Sequence, residues 1–290
     1  MQAFFEPITE LVLTQWEAAM DYWFLLLSLG FLGFELVRYA LKKKFSGNLA
    51  ADTATNFVTF VLSVGASYLL LGAFYLGAYA LLHQWALFAI PINAVTVIAC
   101  VVLADLAYYW EHRFTHRVGI AWATHTVHHS SPHFNISVAY RFGPMDAVWP
   151  IFFHAPLVLL GFHPLLVFFA ELVVLQYQTF LHTEVIGKFP RAVEAVMNTP
   201  SHHRVHHGSN REYWDKNYGG IFIIWDRLFG TFAEEKAPVV YGISRPVNSV
   251  NPLRVFFHGL TRLAQKIKTT PGITNKLAVL IRPPDWQPNG

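Results

Sequence analysis

The chain has 290 residues, of which 54% are hydrophobic, 16% aromatic and only 13% charged. A soluble domain usually carries about 25% charged residues, so the composition argues against an ordinary soluble protein and favours a membrane protein. The formal net charge of +3 is small, and the basic residues lie between apolar stretches. They therefore indicate membrane topology and not a nucleic-acid-binding surface. The single cysteine, Cys100, excludes an intrachain disulfide.

Four apolar stretches reach the length of about 20 residues that crosses a bilayer. They are residues 22–41, 56–82, 86–110 and 146–181. The last stretch is long enough for a helical hairpin, because Pro156, Gly161 and Pro164 break it near its middle. We therefore predict an all-α integral membrane helical bundle with about four spans, one of which is a broken hairpin.

The charges next to these stretches predict their orientation. Three lysines at 42–44 directly follow the first stretch, whereas no Lys or Arg occurs in 45–112 or in 142–187. Because Lys and Arg favour the cytoplasmic side, we predict an external N-terminus and cytoplasmic histidine-rich segments. The absence of Lys and Arg before Arg38 argues against a cleaved secretory signal. The predicted location is a bacterial inner membrane or the endoplasmic reticulum.

Histidines are concentrated in two short windows. The chain has 15 histidines, and nine of them fall in residues 112–129 and 202–207. They form the patterns HRFTH, HTVHH and HRVHH, whose spacings of three and four place imidazoles on one helix face. Imidazole suits Zn, Cu, Fe or Ni, and eight or more ligands suit two metal ions. We therefore predict a cytoplasmic, histidine-rich, metal-binding helical cap.

Other interpretations of the histidines are weaker. The isolated His83, His154, His163 and His258 are expected to be interfacial or hydrogen-bonded residues. The absence of HExxH disfavours a zinc protease. A pH sensor does not require the repeated helical spacing, and a transporter would place its histidines within the spans and not after them. A non-catalytic metal or pH sensor remains the alternative of a different class.

Several longer strings resemble a known family. They are HRFTH, HTVHHSS, QTFLHTE and TPSHHRVHHG, followed by DKNYGGIFIIWDRLFGTF. These strings, which lie within residues 105–232, resemble the fatty acid hydroxylase and sterol desaturase superfamily, and within it the alkylglycerol monooxygenase branch. Members of this superfamily are integral membrane enzymes with a di-iron centre held by histidines.

The resemblance implies a set of metal ligands. It assigns this role to His112, His116, His125, His128, His129, His182, His203, His206 and His207, with His202 as a tenth candidate. Gln178 stands where some members have a further histidine. Ligating histidines usually donate their second N–H to a carboxylate or a carbonyl, which makes Asp105, Glu184 and Asp226 the candidate catalytic residues. Glu111 is a further acidic candidate.

The resemblance also implies an activity. We expect two iron ions, O2 and hydroxylation of a lipid C–H bond, with ether-lipid cleavage as one form of it. The reductant is tetrahydrobiopterin or a separate electron donor, and the partner is a membrane lipid. The alternatives are a sterol or carotenoid desaturase or hydroxylase and an ornithine- or acyl-lipid hydroxylase. We predict a transmembrane region at 1–95, a catalytic domain at 96–235 and an interfacial tail at 236–290, within which 253–267 forms an amphipathic helix.

Overall fold

A computed structural model describes residues 2–71 and 74–288 of the chain. Helices form nearly all of its regular structure, and no residue of these two ranges lies in a strand beyond two isolated bridges. The α-helices are α1 (Gln2–Leu41), α2 (Gly47–Leu71), α3 (Phe74–His83), α4 (Ala94–Arg117), α5 (Gly119–His125), α6 (Trp149–Leu160), α7 (Pro164–Thr179), α8 (Arg191–Val196), α9 (Pro200–His206), α10 (Ile224–Leu228), α11 (Pro252–Thr269) and α12 (Ile273–Ile281). The predicted all-α class is confirmed.

Three helical segments are long and apolar enough to cross a membrane, namely Tyr22–Leu41, Gly47–Ser67 and Ala94–Arg117. The shorter apolar helices α6 and α7 follow each other as the predicted broken hairpin. Gly161 ends α6 with a positive φ of 117°, a conformation that glycine adopts without steric cost, and Pro164 begins α7. The structure therefore agrees with a membrane helical bundle.

The bounds of the second and third spans differ from those predicted. The stretch 56–82 is divided between α2 and α3, and its residues 72 and 73 lie outside the described residues, as do the ends of the predicted segments at 1 and 289–290. The third predicted span lies in α4, which begins only after Asn93. The Asn93 side chain accepts hydrogen bonds from the backbone N–H groups of Val95 (3.0 Å) and Thr96 (3.1 Å). This N-cap fixes the start of α4, and the helix continues to Arg117.

The core of the bundle forms where α4 packs against α6 and α7. Ala104 of α4 and Ala170 of α7 are fully buried in it. Small residues let helix backbones approach closely, which is the usual basis of helix packing in a bilayer. This packing fixes the last two turns of α4, which carry the first pair of histidines.

The helices α5, α11 and α12 pack against one another, and α5 packs against α4. The predicted amphipathic segment 253–267 lies within α11, whose Val255, Phe256, His258 and Gly259 are buried. A Cβ atom on Gly259 would collide with the Ala123 carbonyl oxygen of α5. Only glycine therefore permits this close contact between α11 and α5.

Candidate metal centre

Nine histidines converge in two neighbouring groups. In each group, one donor nitrogen of every ring lies within 4.8 Å of those of the other members. Group I consists of His112, His116, His125, His129 and His206, and group II consists of His128, His182, His203 and His207. The groups touch each other, because the rings of His129 and His207 stack with centroids 4.4 Å apart.

The three sequence patterns contribute to these groups in different ways. His112 and His116, one turn apart on α4, both belong to group I. The two HxxHH patterns are divided: each gives its pair spaced by four residues to one group and its middle histidine to the other. His128 thus belongs to a different group from His125 and His129. The helix α5 ends at His125, and a 3-10 turn follows at His128–Ser130.

Backbone carbonyls fix the orientation of four rings. The Nδ1 atoms lie within hydrogen-bond distance of main-chain oxygens, so in the neutral rings Nδ1–H donates and the lone pair is on Nε2. The donor–acceptor pairs are His112 with Tyr218 (3.0 Å), His128 with Arg141 (3.3 Å), His182 with Gln178 (2.9 Å) and His206 with Lys216 (2.9 Å). Such outer partners are typical of metal-ligating histidines.

The contact between His128 and His182 tests whether a metal fits group II. Their Nε2 atoms are 3.2 Å apart, yet both Nδ1–H groups already donate to carbonyls. Two lone pairs therefore face each other, and this arrangement repels unless a cation binds both. Two nitrogens bound at right angles about 2.1 Å from one ion are about 3.0 Å apart. The donor set thus fits a metal ion.

Similar contacts occur throughout the centre. The Nε2 atoms of His203 and His182 are 2.9 Å apart, and those of His206 and His129 are 3.1 Å apart. Four further buried Nε2 atoms have no hydrogen-bond partner among the described residues, those of His112, His116, His125 and His207. Buried polar atoms normally have partners, so these unpaired nitrogens are also accounted for by metal ions.

Burial keeps these rings in the state that binds metal. It lowers the pKa of His182 to about 3 and that of His206 to about 4. Burial, together with the nearby His206, also lowers the pKa of His125 to about 3. The rings are therefore neutral at physiological pH, as coordination requires, and they do not titrate between pH 5 and 8 as a pH sensor would.

Two of the predicted carboxylates support the centre through a loop. Asp105 accepts a hydrogen bond from the Trp225 indole N–H (2.8 Å), and Asp226 accepts one from the Tyr218 backbone N–H (2.7 Å). Both acids thus hold the segment 218–225, from which the Tyr218 carbonyl accepts the His112 N–H. The predicted partner of a ligating ring is here a carbonyl, and the acids lie one step further away.

The other predicted site residues lie outside both groups. Glu184 accepts a hydrogen bond from the Tyr39 hydroxyl (3.0 Å). The buried Glu111 lies 3.8 Å from His154 Nδ1, and His202 Nε2 lies 3.0 Å from the Glu194 carboxylate. The structure therefore brings nine of the ten predicted metal-ligating histidines together and places His202 beside them, paired with an acid.

Arg141 is a supporting residue that the sequence analysis missed. It is only 1% exposed, and its guanidinium donates to the Val127 carbonyl (2.9 Å) and the Ser130 hydroxyl (3.0 Å). Asp52 of α2 neutralises it at 3.0 Å, while the Arg141 carbonyl accepts from His128. Arg141 thus ties the second histidine pattern to α2. The only signal in the sequence was an isolated arginine shortly after that pattern.

The DKNYGG string has a geometric role. Asp215 and Asn217 have positive φ values of 58° and 57°, a conformation that Asp and Asn tolerate better than most residues. The resulting turn lets the carbonyls of Lys216 and Tyr218 accept from His206 and His112. The string therefore orients two rings of group I.

Fold and site together define a membrane protein with a polyhistidine metal centre. The fatty acid hydroxylase family model matches residues 97–231, so the chain is similar to this family over the part that carries its histidine motifs, as those motifs predicted.

Curated relatives support the same assignment. The chain is 45% identical to human alkylglycerol monooxygenase over 185 residues, which are 63% of this chain and 41% of that protein. It is 36% identical to the alkylglycerol monooxygenase of Caenorhabditis elegans over 224 residues, or 71% of this chain and 43% of that protein. An ornithine lipid hydroxylase of Rhizobium tropici is 31% identical over 146 residues, or 50% of this chain and 44% of that protein. The predicted likeness to alkylglycerol monooxygenases is confirmed.

The chain spans about two-fifths of the length of the alkylglycerol monooxygenases that it matches. No solved structure matches it.

Proposed function

We propose that this protein is a membrane-bound, metal-dependent oxidoreductase that uses O2 to hydroxylate a C–H bond of a lipid. The observation that carries the proposal is the pair of facing Nε2 lone pairs on His128 and His182, within a cluster of nine converging imidazoles. The family and the relatives, whose names describe lipid oxidation, supply the reaction class.

The proposed occupants are two iron ions, one held by each histidine group. Iron bound there supplies the activation of O2, which side chains alone cannot provide. The four carbonyl-anchored rings keep their Nε2 lone pairs aimed into the centre, so the chain does not have to reorganise when metal binds. The buried group II rings also exclude water from their side of the centre.

The position of the centre suits a lipid substrate. Group I begins on α4, a helix apolar and long enough to span the bilayer. A lipid chain lying along such a helix reaches the histidines without leaving apolar surroundings. We propose an alkyl ether of glycerol as the first substrate to test, because oxidation beside the ether oxygen gives a hemiacetal that breaks down to an aldehyde and a glycerol. Tetrahydrobiopterin or a separate donor is the proposed source of electrons.

The alternative substrate is an ornithine lipid, because one relative is an ornithine lipid hydroxylase. The two lipids differ in their headgroups, so their products are distinguished by mass spectrometry. Purified protein loaded with iron is incubated with either lipid, a reductant and isotopically labelled O2. We expect one labelled oxygen atom in the product and none with the His128→Ala variant. Absence of any labelled product from a range of lipids would falsify the oxidative proposal.

The proposed orientation puts the histidine groups on the cytoplasmic side. A Lys44→Cys substitution in a Cys100→Ser background places one thiol in the exposed loop between the first two spans. We expect this thiol to resist an impermeant thiol reagent in intact cells and to react after the cells are permeabilised. Rapid labelling of this thiol in intact cells would show that the loop lies on the outside, which is the opposite of the proposed orientation.

A further inference from the structure

A cavity of about 780 Å³ opens beside group I. His116, His129 and His206 line it, and no group II residue is among its described lining residues. The lining also includes residues of α11, of the loop 242–245 and of 283–287. Volumes of about 300–1,000 Å³ are typical of small-molecule sites, so the cavity is large enough for a ligand next to the metal centre.

The part of the lining outside the histidines is basic. Arg245, Arg262 and Lys266 belong to it together with Asp285, which leaves an excess of two positive charges. The remaining lining pair, Arg117 and Asp215, forms a salt bridge.

The basic side chains are held in place by the main chain. Arg262 donates to the Arg245 carbonyl (2.7 Å) and the Pro246 carbonyl (3.2 Å), and Lys266 donates to the Pro284 carbonyl (2.8 Å). These cations are therefore positioned without being neutralised by the groups that hold them.

The pKa values of Arg262 and Lys266 favour the binding of a negatively charged group between them. Burial and the nearby Arg245 lower the pKa of Arg262. At Lys266, burial lowers the pKa, Asp285 partly opposes it, and Arg245 adds a smaller lowering effect. Burial thus destabilises both cations, and an anion bound between them would offset that cost.

We infer that this cavity binds a phosphomonoester beside group I. A phosphomonoester carries a charge of about −1.5 to −2 at pH 7, which matches the excess of two positive charges. Arginine donates to phosphate through a planar, two-pronged group, and Trp122 and Trp214 of the same lining provide apolar surface for the rest of the ligand.

The phosphate has two sources to distinguish, a lipid headgroup and a soluble phosphate ester. The neighbouring α12 exposes Ile273, Leu277 and Ile281 in one row, a feature that often marks contact with a membrane, so lipid ligands belong in the test. This inference deepens the proposed function, because it rests on a lipid-oxidising centre and assigns a headgroup site to it.

Direct binding tests the inference without turnover. Metal-loaded protein in phosphatidylcholine nanodiscs is titrated calorimetrically with a single-chain alkylglycerol phosphate, the same alkylglycerol without phosphate, and glycerol 3-phosphate. We expect the phosphorylated ligand to bind at least tenfold more tightly than the unphosphorylated one. Arg245→Gln should weaken this binding about tenfold, because it removes one positive charge from the lining. The main-chain carbonyl of residue 245, which accepts from Arg262, is retained. Arg254→Gln, an exposed arginine outside the lining, is the matched control.

The outcomes separate the possibilities. Tight binding of the lipid phosphate alone supports a headgroup site, and equal binding of glycerol 3-phosphate supports a soluble ligand in the same cavity. Equal binding of the phosphorylated and unphosphorylated lipids, or no difference between Arg245→Gln and Arg254→Gln, overturns the inference. Because no oxidation is measured, binding without lipid oxidation would leave this site standing while the proposed function fails.

Discussion

Groups I and II are built from the same residue type but lie in different surroundings. Three of the five group I histidines line the open cavity. Group II is covered by Phe134, whose ring lies 5.0 Å from that of His207 and stacks on Tyr241 at 4.7 Å. The outer supports also differ, because group I relies on the loop 215–218 and group II on Arg141 and the end of α7.

This difference assigns different tasks to the two groups. An open site can exchange water, ligands and products, whereas a closed site mainly holds its ion. We therefore expect the group I metal to exchange faster than the group II metal, although both bind through neutral imidazoles. The following variants test this comparison, beginning with the largest expected effect.

Loss of a ligand should have the largest effect. His128→Ala removes one member of group II, and His206→Ala removes one of group I. We expect each variant to lose bound metal and to lower activity more than about 100-fold, since even outer partners of metal ligands are worth 10–100-fold.

The comparison of the two groups predicts different rates of metal loss for these two variants. Metal content is measured during dialysis against a chelator. His206→Ala should lose its remaining group I metal faster than His128→Ala loses its remaining group II metal, because the cavity beside group I admits solvent. His83→Ala, a histidine outside both groups, is the control. Full metal content and activity in both His128→Ala and His206→Ala would rule out the metal site.

Removal of the Arg141 charge should selectively damage group II. Arg141→Met leaves Asp52 buried without its partner, and an unpaired buried charge costs about 3–5 kcal/mol. We expect a lower thermal unfolding midpoint and weaker group II metal binding. The double variant Arg141→Met/Asp52→Asn removes the stranded charge and should recover stability, whereas the guanidinium contacts with Val127 and Ser130, which hold the segment that carries His128, stay lost. Recovery of metal affinity as well would show that Arg141 acts on stability alone.

A change at Asn217 should selectively weaken group I. Its φ of 57° costs about 1–2 kcal/mol for most residues, and its amide donates to the carbonyls of His202 (3.0 Å) and Ala233 (2.8 Å). We expect Asn217→Ala to lower group I metal affinity about tenfold. Asn217→Gly keeps the backbone conformation and should lose less. An equal loss in both groups would contradict a local role of this turn.

Several features of this site could be predicted from the sequence alone. Apolar length predicted the bundle, and histidine spacing with the family motifs predicted the residues that converge. The division of each HxxHH pattern between two groups was not predicted. Successive residues of a helix differ by about 100° around its axis, so His206, the last residue of α9, and the adjacent His207 belong to different groups. At the second pattern the helix also ends within the motif.

The supports of the centre depend on contacts distant in sequence. The carbonyls of Arg141, Lys216 and Tyr218 carry no side-chain signature, because every residue has a carbonyl. Their roles arise only when the chain brings the loop 215–218 and the segment after the second histidine pattern against the rings. Spacing rules describe one helix at a time, so they cannot identify such partners.

Gln178→Ala should have the smallest effect. Gln178 lies in the last turn of α7, four residues before the group II member His182. The group that accepts the His182 N–H is the main-chain carbonyl of Gln178 (2.9 Å), whereas its side chain donates to the Val174 carbonyl one turn earlier (3.3 Å). The substitution leaves the first contact in place, so we expect group II metal content to be unchanged and activity to fall less than about threefold. Metal analysis and product assays beside Arg141→Met check this. A loss as large as that of Arg141→Met would mean that the Gln178 side chain itself supports the ion.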